Sequence, residues 1–247
     1  MRIRKWYLDC VAGDGTTWIG YWGCVQFAML RVTFASSFLS DGSPPKTLWS
    51  AAVPPPLFSN DRVSWSALGA NAELLARVPS AERELHPGVL WRCVVPSADA
   101  TVHFEDRTLR GRGYAEVLEL SVAPWKLPIR ELRWGRALSE ETSLVWIEWT
   151  GAQPLRVALR NGVFETPAHV DDRGVRLDDG TDLTLSAPAV LREESLDVTL
   201  KPLRWLIPRR WRGSVERKWR SRGTLRAAGR PIEEGWVIHE LVSFPAH

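Results

Sequence analysis

Between Arg110 and Arg136 a glycine-rich turn leads into Tyr114-Ala115-Glu116-Val117-Leu118-Glu119-Leu120 and then, past two prolines, into Leu132-Arg133-Trp134-Gly135-Arg136. As a strand with a two-residue period, the first run sets Tyr114, Glu116, Leu118, Leu120 and Val122 on one face, and Ala115, Val117, Glu119 and Ser121 on the other. Glu116 therefore falls on the apolar side. A carboxyl group there must be paired, hydrogen-bonded or protonated, because an isolated buried charge is strongly disfavoured. Kept protonated in a water-poor pocket, such a group can protonate an alkene or an epoxide while a neighbouring Tyr or His relays the proton. Aromatic walls then stabilise the developing carbocation through their electron-rich faces. That chemistry requires neither a metal nor a nucleotide, and no cofactor is expected.

Other polar groups embedded in apolar strands extend this set. Arg136 offers a planar guanidinium fork, the natural partner of a buried carboxylate. In Trp236-Val237-Ile238-His239-Glu240-Leu241-Val242, His239 and Glu240 point to opposite faces, so only one of them can face a given cavity. Asp9, within Trp6-Tyr7-Leu8-Asp9-Cys10, is a weaker member. Glu116, Tyr114 and His239 are thus the candidate catalytic residues, with Arg136, Trp134, Trp236, Trp22 and Asp9 as candidate ligand contacts. The plainer alternative makes a Glu–Arg pair a register-fixing brace and His239 a hydrogen-bonded core residue. Tryptophan is over-used, 14 copies against 3 tyrosines. Those indoles serve either as core filler on pleated sheets or as the wall of a ligand cavity.

The elements that position these residues are mostly strands. Lys5 to Val11 and Thr17 to Phe27 flank Gly13-Asp14-Gly15, a hairpin turn. The second arm carries bulk on both faces, which implies cover on both sides. Leu30 to Phe38, Thr47 to Ala52, Gly88 to Val95 and Ala100 to Glu105 continue the pattern, and Pro54-Pro55-Pro56 suits a connection around an edge. Ala67 to Arg83 is the one helix expected in the first half. Downstream, Ser143 to Trp149, Leu155 to Arg160 and Val163 to Glu165 are joined by Gly151-Ala152-Gln153-Pro154 and Asn161-Gly162, and Asp179-Gly180 joins Val175-Arg176-Leu177 to the strand starting at Thr181. Ser195 to Leu200, Ser214 to Arg226 and Gly235 to Phe244 complete the series. Many short strands at hairpin spacing predict an all-β antiparallel barrel or sandwich with few short helices.

Composition narrows the function classes. A chain of 247 residues with 45% hydrophobic and 25% charged residues is ordinary globular material. Its net charge of +3 is too small to imply nucleic-acid binding. Charge is nonetheless uneven. Glu165 to Asp197 is rich in acids, while Lys201 to Arg230 is rich in Lys and Arg and has Glu216 as its lone acid, so the two regions are expected to attract one another. The other reading makes Arg209, Arg210, Arg212, Lys218, Arg220 and Arg222, interleaved with tryptophans, a contact for an anionic membrane or a partner. Cys10, Cys24 and Cys93 show no CxxC spacing, so neither a zinc site nor a disulfide framework is expected; Cys10 and Cys24, on two arms of a hairpin, are possible neighbours. With no signal peptide and no long apolar run, the expected compartment is the cytoplasm.

The Gly113-Tyr114-Ala115-Glu116 run, the following Pro-Trp and Trp-Gly-Arg elements and the late Trp-x-x-His-Glu segment resemble the lipocalin-like carotenoid 1,2-hydratase group, the hydroxyneurosporene synthases. Its superfamily includes tocopherol-cyclase-like and Diels–Alderase-like proteins. The resemblance implies two β-barrel-like halves, 1–125 and 126–247, and a small isoprenoid- or polyketide-like ligand in a barrel mouth. It also implies Glu116, Tyr114 and His239 as pocket residues of a cofactor-free hydratase, cyclase or isomerase. A non-catalytic carrier or sensor would use the same residues to orient a ligand's polar head. A surface-binding module would use residues 201–230 instead.

Overall fold

Period-two alternation and two-residue turns build antiparallel ladders throughout, in two units, Met1–Lys126 and Leu127–His247. The computed structural model describes residues 1–41, 46–51, 53–195, 208, 211 and 213–245. The first unit contains β1 (Arg2–Ala12), β2 (Thr17–Phe27), β3 (Leu30–Ser40), β4 (Lys46–Ser50), β5 (Leu57–Ser59), β6 (Arg62–Ala67), β7 (Ala70–Ala76), β8 (Ala81–His86), β9 (Val89–Phe104) and β10 (Arg107–Leu120). They form one sheet in the order β4-β3-β2-β1-β10-β9-β7-β6-β5, with β8 also paired to β9. One face packs Trp6, Leu8, Trp18, Trp22, Trp65 and Leu74 with smaller residues into a core. The opposite face of β2 is buried as well, at Ile19 and Tyr21, as bulk on both sides required.

Three expectations are corrected in this unit. Residues 67–83 form no helix: β7 alternates buried Ala70, Ala72 and Leu74 with exposed Asn71, Glu73 and Leu75. Pairing with β6 and β9 overrides the helical preference of Ala, Leu and Glu. The strands expected at 88–95 and 100–105 are one, β9, running through Pro96. Proline is tolerated there because one neighbour of β9 changes, from β8 ending its pairing at Cys93 to β7 beginning at Ala98, and a bulge interrupts the ladder with β10. Cys10 and Cys24 are not neighbours. Cys10 lies opposite Trp18 and Cys24 opposite Arg4, near the two ends of the β1–β2 ladder, and neither is in a disulfide.

The second unit contains β11 (Glu131–Leu138), β12 (Ser143–Thr150), β13 (Leu155–Arg160), β14 (Val163–Glu165), β15 (Pro167–Asp171), β16 (Gly174–Leu177), β17 (Asp182–Ser195), β18 (Val215–Arg226) and β19 (Glu233–Ser243). Their order is β14-β13-β12-β11-β19-β18-β17-β16-β15. β15 approaches β13, so this sheet nearly closes around Leu144, Trp146, Val175, Leu183 and Val237. The strand expected at 195–200 lies outside the described residues beyond Ser195, where β17 ends. The acidic and basic regions do meet where β17 pairs with β18, and Arg217 bonds Glu193 at 2.8 Å. Pro124–Lys126 forms a 3-10 turn. The fold is all-β and lipocalin-like, a half-barrel sheet followed by a nearly closed one.

Close approach of β1 and β10 makes Gly111 irreplaceable. A Cβ there would sit 2.0 Å from the carbonyl oxygen of Val11, a backbone atom that cannot rotate away. Gly111→Ala is expected to cost about 1–3 kcal/mol through forced backbone displacement. Gly13→Ala, with nothing within 4 Å of the added carbon, should leave the thermal midpoint nearly unchanged.

Candidate functional site

Glu116 sits in the middle of β10, opposite Tyr7 of β1 and Cys93 of β9. Its Oε2 accepts two hydrogen bonds, from the Tyr114 hydroxyl at 2.7 Å and from the Trp91 indole N–H at 2.6 Å. Tyr114 reaches it because residues two apart on a strand share a face; Trp91 reaches it from the neighbouring strand. Both donors are buried, whereas Glu116 is half-buried. On the same face Tyr7 donates to the Asp9 carboxylate at 2.9 Å, and Asp9 is fully buried. The Tyr7 ring meets Tyr21 edge-on at 5.3 Å and Tyr114 at 6.0 Å. All three tyrosines of the chain therefore converge around two carboxylates.

Protonation follows from this burial. The Tyr114 hydroxyl is pushed well above its ordinary value, first by burial and then by the Cys93 and Glu116 groups beside it. Burial likewise pushes the Cys93 thiol up, against a lowering hydrogen bond from Tyr114. Both groups are neutral near pH 7, which makes Tyr114 a hydrogen-bond donor to Glu116 rather than a phenolate.

The remaining candidates lie in the second unit. Trp134 and Arg136 of β11 share a face with Trp236, Ile238 and Glu240 of β19 and with Lys218 of β18. Arg136 is fully buried and donates to the Trp236 carbonyl at 3.1 Å. Lys218 is 1% exposed; its ammonium is hydrogen-bonded to Glu240 and lies 5.1 Å from the Trp134 ring centroid. Its charge is thus engaged inside the fold. The guanidiniums of Arg220 and Arg222 lie over the Trp236 ring, at 5.0 and 3.6 Å. Arg209, Arg210 and Arg212, the other basic residues considered for membrane contact, lie outside the described residues.

His239 occupies the opposite face of β19, opposite Gly135 and Trp219. Its ring stacks on Trp219 at 5.2 Å, and Nε2 is 2.9 Å from the Ser221 hydroxyl. Burial lowers its pKa to about 4; Asp172 and Glu240 oppose this and Lys218 reinforces it. The structure therefore brings Glu116 and Tyr114 into one constellation and adds Trp91, Cys93 and Tyr7. It places His239 and Arg136 on opposite sides of a different sheet.

Trp22 belongs to neither group. It lies on the core face of β2, donates its indole N–H to the Val53 carbonyl at 2.8 Å, and walls a cavity of about 660 Å³ with Ile3, Leu90, Leu120 and the basic residues Arg2 and Arg31. Glu116 does not line this cavity. Among the described residues no cluster of His, Cys, Asp or Glu could hold a metal ion. The contributions of Trp91 and Cys93 were hidden in the sequence. Their spacing showed that they share a face, but only the β9–β10 register shows that it is the face of Glu116.

No protein-family model and no curated protein sequence matches the chain. Solved structures do. CghA in complex with Sch210972 superposes with a TM-score of 0.63 at 14% identity, over all of this chain and 89% of that one. A protein assigned as AttH (NE1406) from Nitrosomonas europaea gives 0.62 at 14% identity, over 97% of this chain and 92% of that one. Kievitone hydratase from Nectria haematococca gives 0.59 at 7% identity, over 98% and 89%. At these identities the shared property is the fold, the lipocalin-like architecture implied by the sequence resemblance.

Proposed function

We propose that the chain binds a small, largely apolar molecule of isoprenoid or polyketide type and exchanges a proton with it through Glu116, in a hydration, cyclisation or isomerisation. The observation that carries this reading is the Glu116 carboxyl itself, half-buried on a tyrosine-rich face with Oε2 oriented by Tyr114 and Trp91. Among the proteins sharing the fold, one is named a hydratase and another was crystallised with the small molecule Sch210972.

In a hydration the Glu116 carboxylic acid gives its proton to one alkene carbon, forming a C–H bond and leaving a carbocation on the other. The Tyr114 and Trp91 donors stabilise the carboxylate as it forms, and the aromatic faces of Tyr7 and Tyr21 stabilise the positive charge. Water then adds to the cation, and its surplus proton returns to Glu116, restoring the acid. In an isomerisation the carboxylate removes a proton from a neighbouring carbon instead. The proton is routed through Glu116 with Tyr114 as its hydrogen-bond donor.

The test is incubation of the purified protein in deuterium oxide with a panel of terpenoid and polyketide alkenes, read by mass spectrometry for gain of water or of carbon-bound deuterium. Glu116→Gln should abolish both while leaving affinity within about tenfold, since it removes the proton but little volume. Tyr114→Phe should slow turnover about tenfold to a hundredfold, the value of one hydrogen bond to a charged group. Ligand that binds without ever exchanging a proton would reduce the protein to a carrier and overturn the catalytic reading.

A further inference from the structure

The turn between β2 and β3 breaks its own local rules. Gln26 to Arg31 are all exposed, and the residues at the tip are apolar: Phe27 is 53% exposed, Met29 101% and Leu30 44%, with Ala28 between them. Phe27 pairs with Leu30, so Ala28-Met29 is a two-residue loop, and Ala28 has φ of 51°. That left-handed conformation favours Gly, Asn or Asp. Asn60-Asp61 and Asn161-Gly162 supply such residues at other hairpins of this chain. Where Leu68 takes a positive φ, Gly69 follows and the leucine packs on the core. At the β2–β3 tip neither backbone preference nor burial accounts for Ala-Met. Apolar side chains held in solvent on an unfavourable turn are expected where a partner selects them.

The residues behind the tip indicate which partner. Arg2, Gln26 and Arg31 lie opposite one another across β1, β2 and β3, and Arg4 follows on β1, bonded to Glu119. Arg31 bonds the Cys24 sulfur, and neither Arg2 nor Arg31 pairs with a carboxylate among the described residues. A narrow apolar prow backed by guanidinium groups is complementary to an anionic bilayer, with hydrocarbon entering the acyl boundary and arginines meeting phosphates. So small a prow is poorly suited to a stable protein–protein interface, which buries about 800 Å² on each partner. We propose that the β2–β3 tip docks this protein on an anionic lipid surface. Arg2, Gln26 and Arg31 also line the cavity of about 660 Å³, so docking sets its mouth against the lipid and gives an amphiphilic molecule a short path between the two. This surface is independent of the chemistry at Glu116.

Flotation with vesicles of phosphatidylcholine, alone or mixed equally with phosphatidylglycerol, tests it. Wild type should float with the anionic vesicles, and binding should weaken steeply with salt. Met29→Asp and the pair Arg2→Glu/Arg31→Glu should each weaken binding at least tenfold. Ala28→Asn/Met29→Gly is the decisive variant, because it supplies the residues the turn prefers: it should raise the thermal midpoint while losing vesicle binding. The proposal is overturned if wild type ignores anionic vesicles at low salt, or if these tip variants bind as wild type does while reversal of Arg209 and Arg210 abolishes binding. A dimer that dissociates on Met29→Asp, with no vesicle binding in wild type, would make the tip a self-association surface and equally overturn it.

Discussion

Glu240→Ala is expected to destabilise the second unit by about 3 kcal/mol, and more if the surroundings cannot relax. Its partner Lys218 is 1% exposed, and its ammonium is held by Glu240 beneath the Trp134 ring. Removing the carboxylate leaves a cation with no bulk water to solvate it. Glu216, at 4.0 Å, compensates only in part. The pair itself need not stabilise the fold, because desolvating both ions offsets much of their attraction. Lys218→Met/Glu240→Leu should therefore recover most of the loss. Urea denaturation of the two single variants and the double variant measures this. Singles no worse than the double would show that Lys218 finds water or another anion.

Stability should also fall as the solution is acidified from about pH 6.5 to about pH 4, because of His239. Its pKa is lowered to about 4 by burial, from an ordinary 6.5. The groups facing it act in both directions, Asp172 and Glu240 favouring the charged form and Lys218 opposing it. Between those two pH values the unfolded chain binds a proton that the folded chain does not. Folding is thus fully supported above 6.5 and progressively opposed as pH drops through 4. At 1.36 kcal/mol per pH unit the effect is about 2–3 kcal/mol, the lower figure allowing for the part of the ring open to solvent. His239→Gln should flatten the denaturation midpoint across this window. Loss at still lower pH belongs to carboxylates such as Asp179, held at about 2 by backbone and Arg160 hydrogen bonds, and should persist in the variant. An unaltered profile would mean that His239 is charged in the fold.

What could be read from the chain alone was whatever depends on neighbours in sequence. Tyr114 and Glu116 share a face because side chains alternate along a strand, and Asn161-Gly162 turns because its residues tolerate positive φ. Alternation in the second arm of the first hairpin sufficed to place bulk on two buried faces. The helix expected over Ala67–Arg83 failed on the same ground: its composition is helical, but β6 and β9 offer hydrogen bonds and apolar cover that only an extended chain can use. Tertiary structure alone decided everything that depends on register between distant strands. Trp91 and Cys93 join Glu116 because two successive irregularities in the β9–β10 ladder, between Gly113 and Ala115 and between Ala115 and Glu116, shift β9 against β10. His239 parts from Arg136 because Gly135, not Arg136, lies opposite it. The face a residue occupies within its own strand is a local property of the backbone. Which strand lies beside it is set by burial summed over the whole sheet, and a slip of one residue would have exchanged every assignment.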